Sequence, residues 1–140
     1  MIQELIVSAV LVSGKGEMVS AEPAPNLSSF QILGVADSNL FNNNQYYTKN
    51  SISAVKLPRT IYVVTNQTGY GNTGYYIDGN VYKTATRSKW FPRTNANRII
   101  TGWAQYDMLT LTPGNHNIKA VCTNNNTHKS ITDSIFVSVQ

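Results

Sequence analysis

Short runs rich in β-branched residues, each closed by turn-forming residues, constrain this chain more than any other feature of its sequence. Valine, isoleucine and threonine together supply 37 of its 140 residues, and these side chains favour extended backbone. Clusters of glycine, proline and asparagine separate the runs, which is the pattern of strands joined by turns. The runs cover residues 4–13, 29–36, 60–65, 74–77, 80–84, 98–103, 108–111, 117–123 and 130–139. Strands this short and this numerous predict an all-β sandwich or barrel.

The sequence also assigns the type of one turn. Asp78-Gly79 separates two apolar and aromatic runs, residues 75–77 and 81–82. Both turn residues tolerate the positive φ that a two-residue type I′ turn requires, so we predict a β-hairpin there. The one window with plausible helix formers, residues 51–57, is closed by Pro58.

The composition fits one domain with a weakly charged surface. Valine, isoleucine, leucine and phenylalanine number 35, which is enough for a single core. Charged residues make up 13% of the chain, about half the usual share of roughly 25%. The single cysteine, Cys122, excludes an internal disulfide framework. Since no apolar run approaches the roughly 18–20 residues that span a bilayer, we expect no membrane partner.

Four stretches of the second half carry a resemblance to a known family: residues 60–64, 74–82, 109–123 and 134–139. The third contains a Pro-Gly turn followed by Gly-x-His-x-Ile-x-Ala at residues 114–120. On these residues, the chain from about residue 57 resembles a bacterial immunoglobulin-like domain, of the kind found in cell-surface and phage virion proteins. The resemblance implies an immunoglobulin-like β-sandwich over residues 57–140. It implies a fold rather than an activity.

Alternation within residues 116–122 agrees with a sandwich strand. His116, Ile118, Ala120 and Cys122 fall on one face, which is apolar except for the histidine. We expect Cys122 to be a buried, unreactive side chain. We expect His116 to face inward and to bond to backbone at a corner. Residues 85–97 form an insertion that is long for a connection between strands.

Residues 1–56 have no counterpart in the immunoglobulin-like pattern. In their first run, residues 4–13, apolar side chains occur at both odd and even positions. A strand that is apolar on both faces needs other elements packed against both faces. We expect an N-terminal arm and extra strands that pack on the sandwich or on a neighbouring subunit. The assembly contacts of this arm would be Leu5, Val7, Val10 and Val12. Within this run, the apolar stretch of residues 5–12 also resembles a signal peptide. The segment before it carries Glu4 and no Lys or Arg, which favours a strand in a protein made in a host cytoplasm.

The sequence contains no recognisable catalytic or metal-binding constellation. Its seven carboxylates are scattered, and no Gly-x-Ser-x-Gly is present. Two histidines and one cysteine cannot supply a zinc cluster. Gly69, Gly71 and Gly74 lack the Lys-Ser/Thr and the helix of a phosphate loop. We therefore expect no enzyme, no cofactor and no metal.

A basic and aromatic segment is more informative about binding. Five of the eleven cations lie within the sixteen residues 83–98, interleaved with aromatic rings. Proteins, sugars and single-stranded nucleic acids are all bound by such mixtures; the alternative is a surface loop whose aromatic side chains fold back onto the sandwich. The partner-binding residues we predict are Lys83, Arg87, Lys89, Trp90, Phe91 and Arg93.

These features favour a non-catalytic structural protein of a bacteriophage virion, such as a capsid decoration, spike or tail accessory protein. Its partners would be capsid or tail proteins or copies of itself, with a host glycan as a further option. The net charge of +4 suits an acidic surface and does not require nucleic acid. The alternative is a carbohydrate-binding immunoglobulin-like module of a secreted or cell-surface protein, with Trp90, Phe91 and Trp103 as its stacking platform.

Overall fold

The computed structural model describes residues 19–20 and 25–140. The predicted assembly residues Leu5, Val7, Val10 and Val12 lie outside this part of the chain. Within it, eleven strands form two sheets that share one core, which confirms the prediction of an all-β sandwich. The immunoglobulin-like arrangement of strands stays a prediction.

In chain order the strands are β1 (Val19–Ser20), β2 (Ser29–Ala36), β3 (Tyr47–Thr48), β4 (Lys56–Leu57), β5 (Thr60–Thr68), β6 (Asn72–Ile77), β7 (Asn80–Tyr82), β8 (Thr86–Thr94), β9 (Ile99–Thr110), β10 (Gly114–Thr123) and β11 (Ser130–Val139). A short helix, α1 (Ser38–Asn42), follows β2. One 3-10 turn spans Ile52–Ala54.

The larger sheet contains six of the described strands. Its central strand β5 pairs in antiparallel fashion with β2 on one side and β9 on the other. Beyond β2 lies β3, beyond β9 lies β8, and β1 pairs in parallel with the first residues of β9. The smaller sheet has the strand order β4-β11-β10-β6-β7. The predicted immunoglobulin-like region begins at residue 57, and the two sheets contain strands from before and after that residue.

Alternating side chains from the two sheets fill the space between them. The larger sheet contributes Ile61 and Leu109, and the smaller sheet contributes Ile118 and Ile135, all almost fully buried. Each such side chain stabilises the fold by roughly 1.5–3 kcal/mol relative to an exposed position. Cys122 is buried in the same core, as predicted.

A second apolar cluster covers the outer face of the larger sheet. Leu40 of α1 and Tyr46 of the following loop pack there against Val64 and Tyr106. The side chain of Asp37 caps the helix by accepting a hydrogen bond from the Leu40 N–H at 2.9 Å. Helix α1 was not predicted, because its five residues are too few to show helical periodicity.

The predicted hairpin is confirmed. Strands β6 and β7 pair across a two-residue turn, in which Asp78 has φ +52° and Gly79 has φ +87°. Both values lie in the left-handed region that a type I′ turn uses.

The structure differs from the sequence-based expectation at β8 and β9. The insertion predicted as a connection contains β8, an outer strand that includes Pro92, and proline is tolerated in strands at the edge of a sheet. Two predicted runs, residues 98–103 and 108–111, belong to the single strand β9. The middle of β9 was not predicted as a strand because Gln105 and Asp107 are polar side chains at inward positions. Such residues break the alternation of apolar and polar side chains on which strand prediction depends.

Candidate functional site

A recess of about 300 Å³ opens between the two sheets. Its volume lies at the lower end of the range of ligand pockets, roughly 300–1,000 Å³. The residues that line it are Thr73, Tyr75, Ala85, Arg87, Gln105 and Asp107. Polar groups thus face inward at this end of the sandwich, next to the apolar core.

A chain of hydrogen bonds runs along the inner face of β9 and crosses to β6. The indole Nε1–H of Trp103 donates to Gln105 Oε1 at 2.8 Å, and Gln105 Nε2 donates to Asp107 Oδ2 at 2.8 Å. The Tyr75 hydroxyl donates to the same Asp107 oxygen at 2.6 Å. These side chains lie two residues apart along β9, so the two-residue repeat of the strand places them on one face. The network holds the side chains of Tyr75, Gln105 and Asp107 in fixed positions.

The carboxylate at the base of the recess is strongly shielded. Asp107 is 4% exposed, and burial raises its pKa above the usual range, although Tyr75, Gln105 and Arg87 each favour the charged form. Burial and the negative charge of Asp107 raise the pKa of Tyr75 well above its ordinary value. Tyr75 therefore remains a hydrogen-bond donor at neutral pH.

Aromatic rings lie beside the recess. Trp90 is the cross-strand neighbour of the lining residue Gln105 and is 39% exposed. Its ring centroid lies 5.9 Å from that of Trp103, which in turn meets Tyr70 edge-on at 5.2 Å. The Arg87 guanidinium lies 6.0 Å from the Trp103 ring centroid. The recess therefore has a polar lining with an exposed indole next to it.

A bulge in β8 decides which of the predicted binding residues face this recess. Arg87 pairs with Asp107 and Lys89 pairs with Tyr106, so Ser88 is an extra residue in the strand. Arg87 and Trp90, three positions apart, consequently share the inner face. Lys83 lies exposed in the connection between β7 and β8.

The other predicted binding residues of β8 face the opposite side of the sheet. Lys89 donates to the Phe41 carbonyl oxygen and, at 2.8 Å, to Asn44 Oδ1. Its ammonium also lies 4.2 Å from the Phe41 ring centroid. Lys89 therefore connects β8 to the end of α1.

Phe91 and Arg93 are also engaged within the chain. Phe91 packs edge-on against Tyr106 with ring centroids 6.1 Å apart. Arg93 donates to Asn66 Oδ1, to the Gln67 carbonyl oxygen at 2.8 Å and to Thr68 Oγ1 at 3.2 Å. The structure thus brings two of the six predicted binding residues, Arg87 and Trp90, to the recess.

Sequence reasoning did not single out Thr73, Tyr75, Gln105 or Asp107 as binding residues. The signal that could have found two of them is the inward parity of Gln105 and Asp107, which follows once residues 99–110 are assigned to one strand. Thr73 and Tyr75 meet them only through the packing of one sheet on the other.

A second polar cluster joins two turns at the surface. His116 Nδ1 lies 2.7 Å from Asp78 Oδ2, and Nε2 lies 2.8 Å from the Thr112 carbonyl oxygen. The bond to backbone agrees with the expectation for His116, whereas its pairing with Asp78 was not foreseen.

In residues 19–20 and 25–140, no three His, Cys, Asp or Glu side chains group so that they could hold a metal ion. No helix in that same part of the chain is long and apolar enough to cross a membrane.

The two packed sheets and the polar recess between them define a β-sandwich protein with a candidate binding cavity. A family model described as a domain of unknown function, DUF4879, matches residues 22–137. The chain belongs to this family. The match extends to both sides of position 57 and includes every residue that lines the recess. No curated protein and no solved structure matches the chain.

Proposed function

We propose that the protein is a non-catalytic carbohydrate-binding module whose ligand occupies the recess beside Trp90. The observation that carries the proposal is an exposed indole next to a cavity lined by fixed hydrogen-bonding groups. A sugar ring has an apolar C–H face and a rim of hydroxyl groups. Aromatic side chains cover such faces, while carboxylate, amide and hydroxyl groups pair with the rim.

The hydrogen-bond network supports this ligand class. Gln105 and Asp107 are held by bonds to Trp103 and Tyr75, so they lose little side-chain entropy when a ligand binds. Their arrangement offers acceptors for hydroxyl groups in a shielded environment, where hydrogen bonds are stronger than in water.

The recess suits binding better than hydrolysis of a sugar chain. Glycoside hydrolases use a pair of carboxyl groups on the two sides of the scissile bond. Among the described residues that line the recess, Asp107 is the one carboxylate. We therefore assign it an acceptor role.

Isothermal titration calorimetry against a panel of oligosaccharides and soluble polysaccharides tests this proposal. Replacing Trp90 by alanine is expected to weaken binding by about 30-fold, which corresponds to the roughly 2 kcal/mol of a binding hot spot. Phe136→Ala is the matched control, because Phe136 is another exposed aromatic residue, 72% accessible, on the outer face of the smaller sheet. Binding of no carbohydrate by the folded protein, or equal binding by Trp90→Ala, would contradict the proposal.

The second candidate is the structural role in a virion. It is supported by the exposed apolar side chains of Val81, 59% accessible, and Phe136, both on the outer face of the smaller sheet. Phe136 also lines a recess of about 220 Å³, together with Ser53 and Asn115 among others. Exposed apolar groups of this kind can serve contacts between proteins of a particle.

Mass spectrometry of gradient-purified particles of a phage that encodes the chain tests this second candidate. The chain is expected in the particle fraction, and Phe136→Ser is expected to lower its occupancy while Trp90→Ala leaves it unchanged. Absence of the chain from purified particles would exclude the virion role.

A further inference from the structure

Arg87 differs from the neighbouring cations of its strand. Lys89 and Arg93 each donate hydrogen bonds to carbonyl or amide oxygens on the other face of the sheet. Arg87 is exposed and lines the recess. Among the described residues its guanidinium forms no hydrogen bond and no ion pair, and it lies 6.0 Å from the Trp103 ring centroid. Its donors are therefore free for a ligand.

The carboxylate of Asp107 does not neutralise this guanidinium directly. The two residues are cross-strand partners and line the same recess, yet the ion pairs of the described chain are formed by Lys49 with Asp133 and His116 with Asp78. The positive charge of Arg87 nevertheless reaches the interior, since it lowers the pKa of both Tyr75 and Asp107 against the larger effect of burial.

The wall of the recess opposite Arg87 carries a polar atom that the fold pairs only weakly. Thr73 Oγ1 on β6 is buried without a hydrogen bond of normal geometry among the described residues, and the thiol of its cross-strand neighbour Cys122 is a weak partner. Buried polar atoms are nearly always paired, with a partner in the chain, a water molecule or a ligand. A recess with a weakly paired hydroxyl and an unpaired guanidinium is suited to a ligand that supplies hydroxyl groups and an anion.

We infer that the carbohydrate bound in the recess is acidic, and that Arg87 binds its carboxylate; this inference rests on the proposed carbohydrate-binding function. The planar fork of a guanidinium matches a carboxylate through two parallel hydrogen bonds. Asp107 repels a second negative charge, so the carboxylate of the sugar lies toward Arg87 and hydroxyl groups lie toward Asp107. The recognised unit is a sugar residue with a carboxyl group, such as a uronic acid.

The test compares uronic-acid oligosaccharides with their carboxyl-reduced forms, using calorimetry on the full chain. The probes are oligomers of galacturonate, glucuronate-containing hyaluronan and mannuronate, each paired with the reduced neutral oligomer, together with dextran and dextran sulfate. We expect at least one acidic oligomer to bind about tenfold or more tightly than its reduced form, as for a charge-assisted hydrogen-bonded pair. Arg87→Gln is expected to abolish that preference, and Arg87→Lys to retain part of it, because lysine keeps the charge and lacks the fork.

Lys56→Gln is the matched control, because it removes one positive charge from β4, at the far edge of the smaller sheet from β6. It is expected to retain the full preference. Binding of neutral oligomers as tightly as acidic ones, or an acid preference that survives in Arg87→Gln, overturns this inference and leaves the carbohydrate-binding proposal standing. Tightest binding to dextran sulfate overturns the assignment to a carboxylate. Binding of no probe overturns this inference, and binding of nothing in the wider oligosaccharide panel as well overturns the carbohydrate-binding proposal.

Discussion

At the scale of single residues, the Tyr75 hydroxyl connects the two sheets at the base of the recess. It is the donor in a 2.6 Å hydrogen bond to a buried carboxylate, Asp107. Tyr75→Phe is expected to lower the free energy of unfolding at pH 7 by about 1–3 kcal/mol, because a buried acceptor loses a donor. Denaturant unfolding measures this loss.

The pH dependence of that loss identifies its cause. The folded-state pKa of Asp107 is raised by burial, so its charged form destabilises the fold, and lowering the pH through this pKa relieves the cost. Tyr75→Phe is therefore expected to recover part of its lost stability in acid. Tyr76→Phe, whose side chain points to the outer face, should stay within about 0.5 kcal/mol of the wild type at every pH. An equal loss at all pH values would exclude the hydrogen bond as the cause.

The ring nitrogens of His116 both face acceptors, the Asp78 carboxylate and the Thr112 carbonyl oxygen. Two acceptors require two N–H donors, which only the protonated imidazole supplies. Burial alone would lower the pKa of His116, but the hydrogen bonds to Asp78 and Thr112 outweigh burial and raise it. The fold therefore favours the charged ring.

Stability is expected to fall as the pH rises through the raised pKa of His116. A raised folded-state pKa means that the contribution is complete below the unfolded value, about 6.5, and is lost above the folded value. Since Asp78 is half exposed, the effect should be below about 1 kcal/mol. Thermal unfolding between pH 5 and pH 9 would show a steeper fall for the wild type and for His128→Asn than for His116→Asn, which keeps only the contributions of other groups such as Asp107 and Cys122. Equal slopes in the wild type and in His116→Asn would contradict the assignment.

At the scale of elements, the β6–β7 hairpin depends on the backbone conformation of its turn. Gly79 has φ +87°, and an added Cβ there would meet no atom within 4 Å. Gly79→Ala is expected to destabilise the protein by roughly 1–2 kcal/mol, since the left-handed conformation is costly for a residue with a Cβ. Equilibrium denaturation measures the change.

Gly74 provides the matched control for this turn. It lies in β6, has equally open surroundings and does not have a positive φ. Gly74→Ala should be neutral, or stabilising by about 0.4–1 kcal/mol, because alanine restricts the unfolded chain. Similar losses in both variants would show that conformational strain is not the cause.

At the scale of the whole molecule, the strands that precede residue 57 belong to the sandwich. β2 pairs along β5, and Phe30, Ile32 and Val35 lie in the common core. A chain of residues 57–140 alone would expose one side of β5 and leave part of this core empty. We expect it not to unfold cooperatively, whereas the full chain should. Circular dichroism during thermal unfolding distinguishes the two, and a cooperative transition of the shorter chain would contradict this expectation.

Much of the fold could be predicted from the sequence. Most strands, the hairpin at Asp78-Gly79 and the buried position of Cys122 follow from local alternation and turn chemistry, which act over a few residues. Helix α1 and the full length of β9 could not be predicted in this way. The helix is held by the cap at Asp37 and by packing on the larger sheet, and the inward polar side chains of β9 interrupt the pattern.

The candidate site, like the fold, could be predicted from the sequence only in part. The concentration of cations and aromatic rings in residues 83–98 can be found without a structure, because composition is a local property of the chain. Strict alternation would place Arg87 with Lys89 and Arg93, on the face opposite Trp90. The bulge at Ser88 reverses this for Arg87, and the register that creates the bulge exists only when β8 pairs with β9. Arg87 and Trp90 therefore come together, beside the hydrogen bond that joins Tyr75 to Asp107, only when the strands have paired and the sheets have packed.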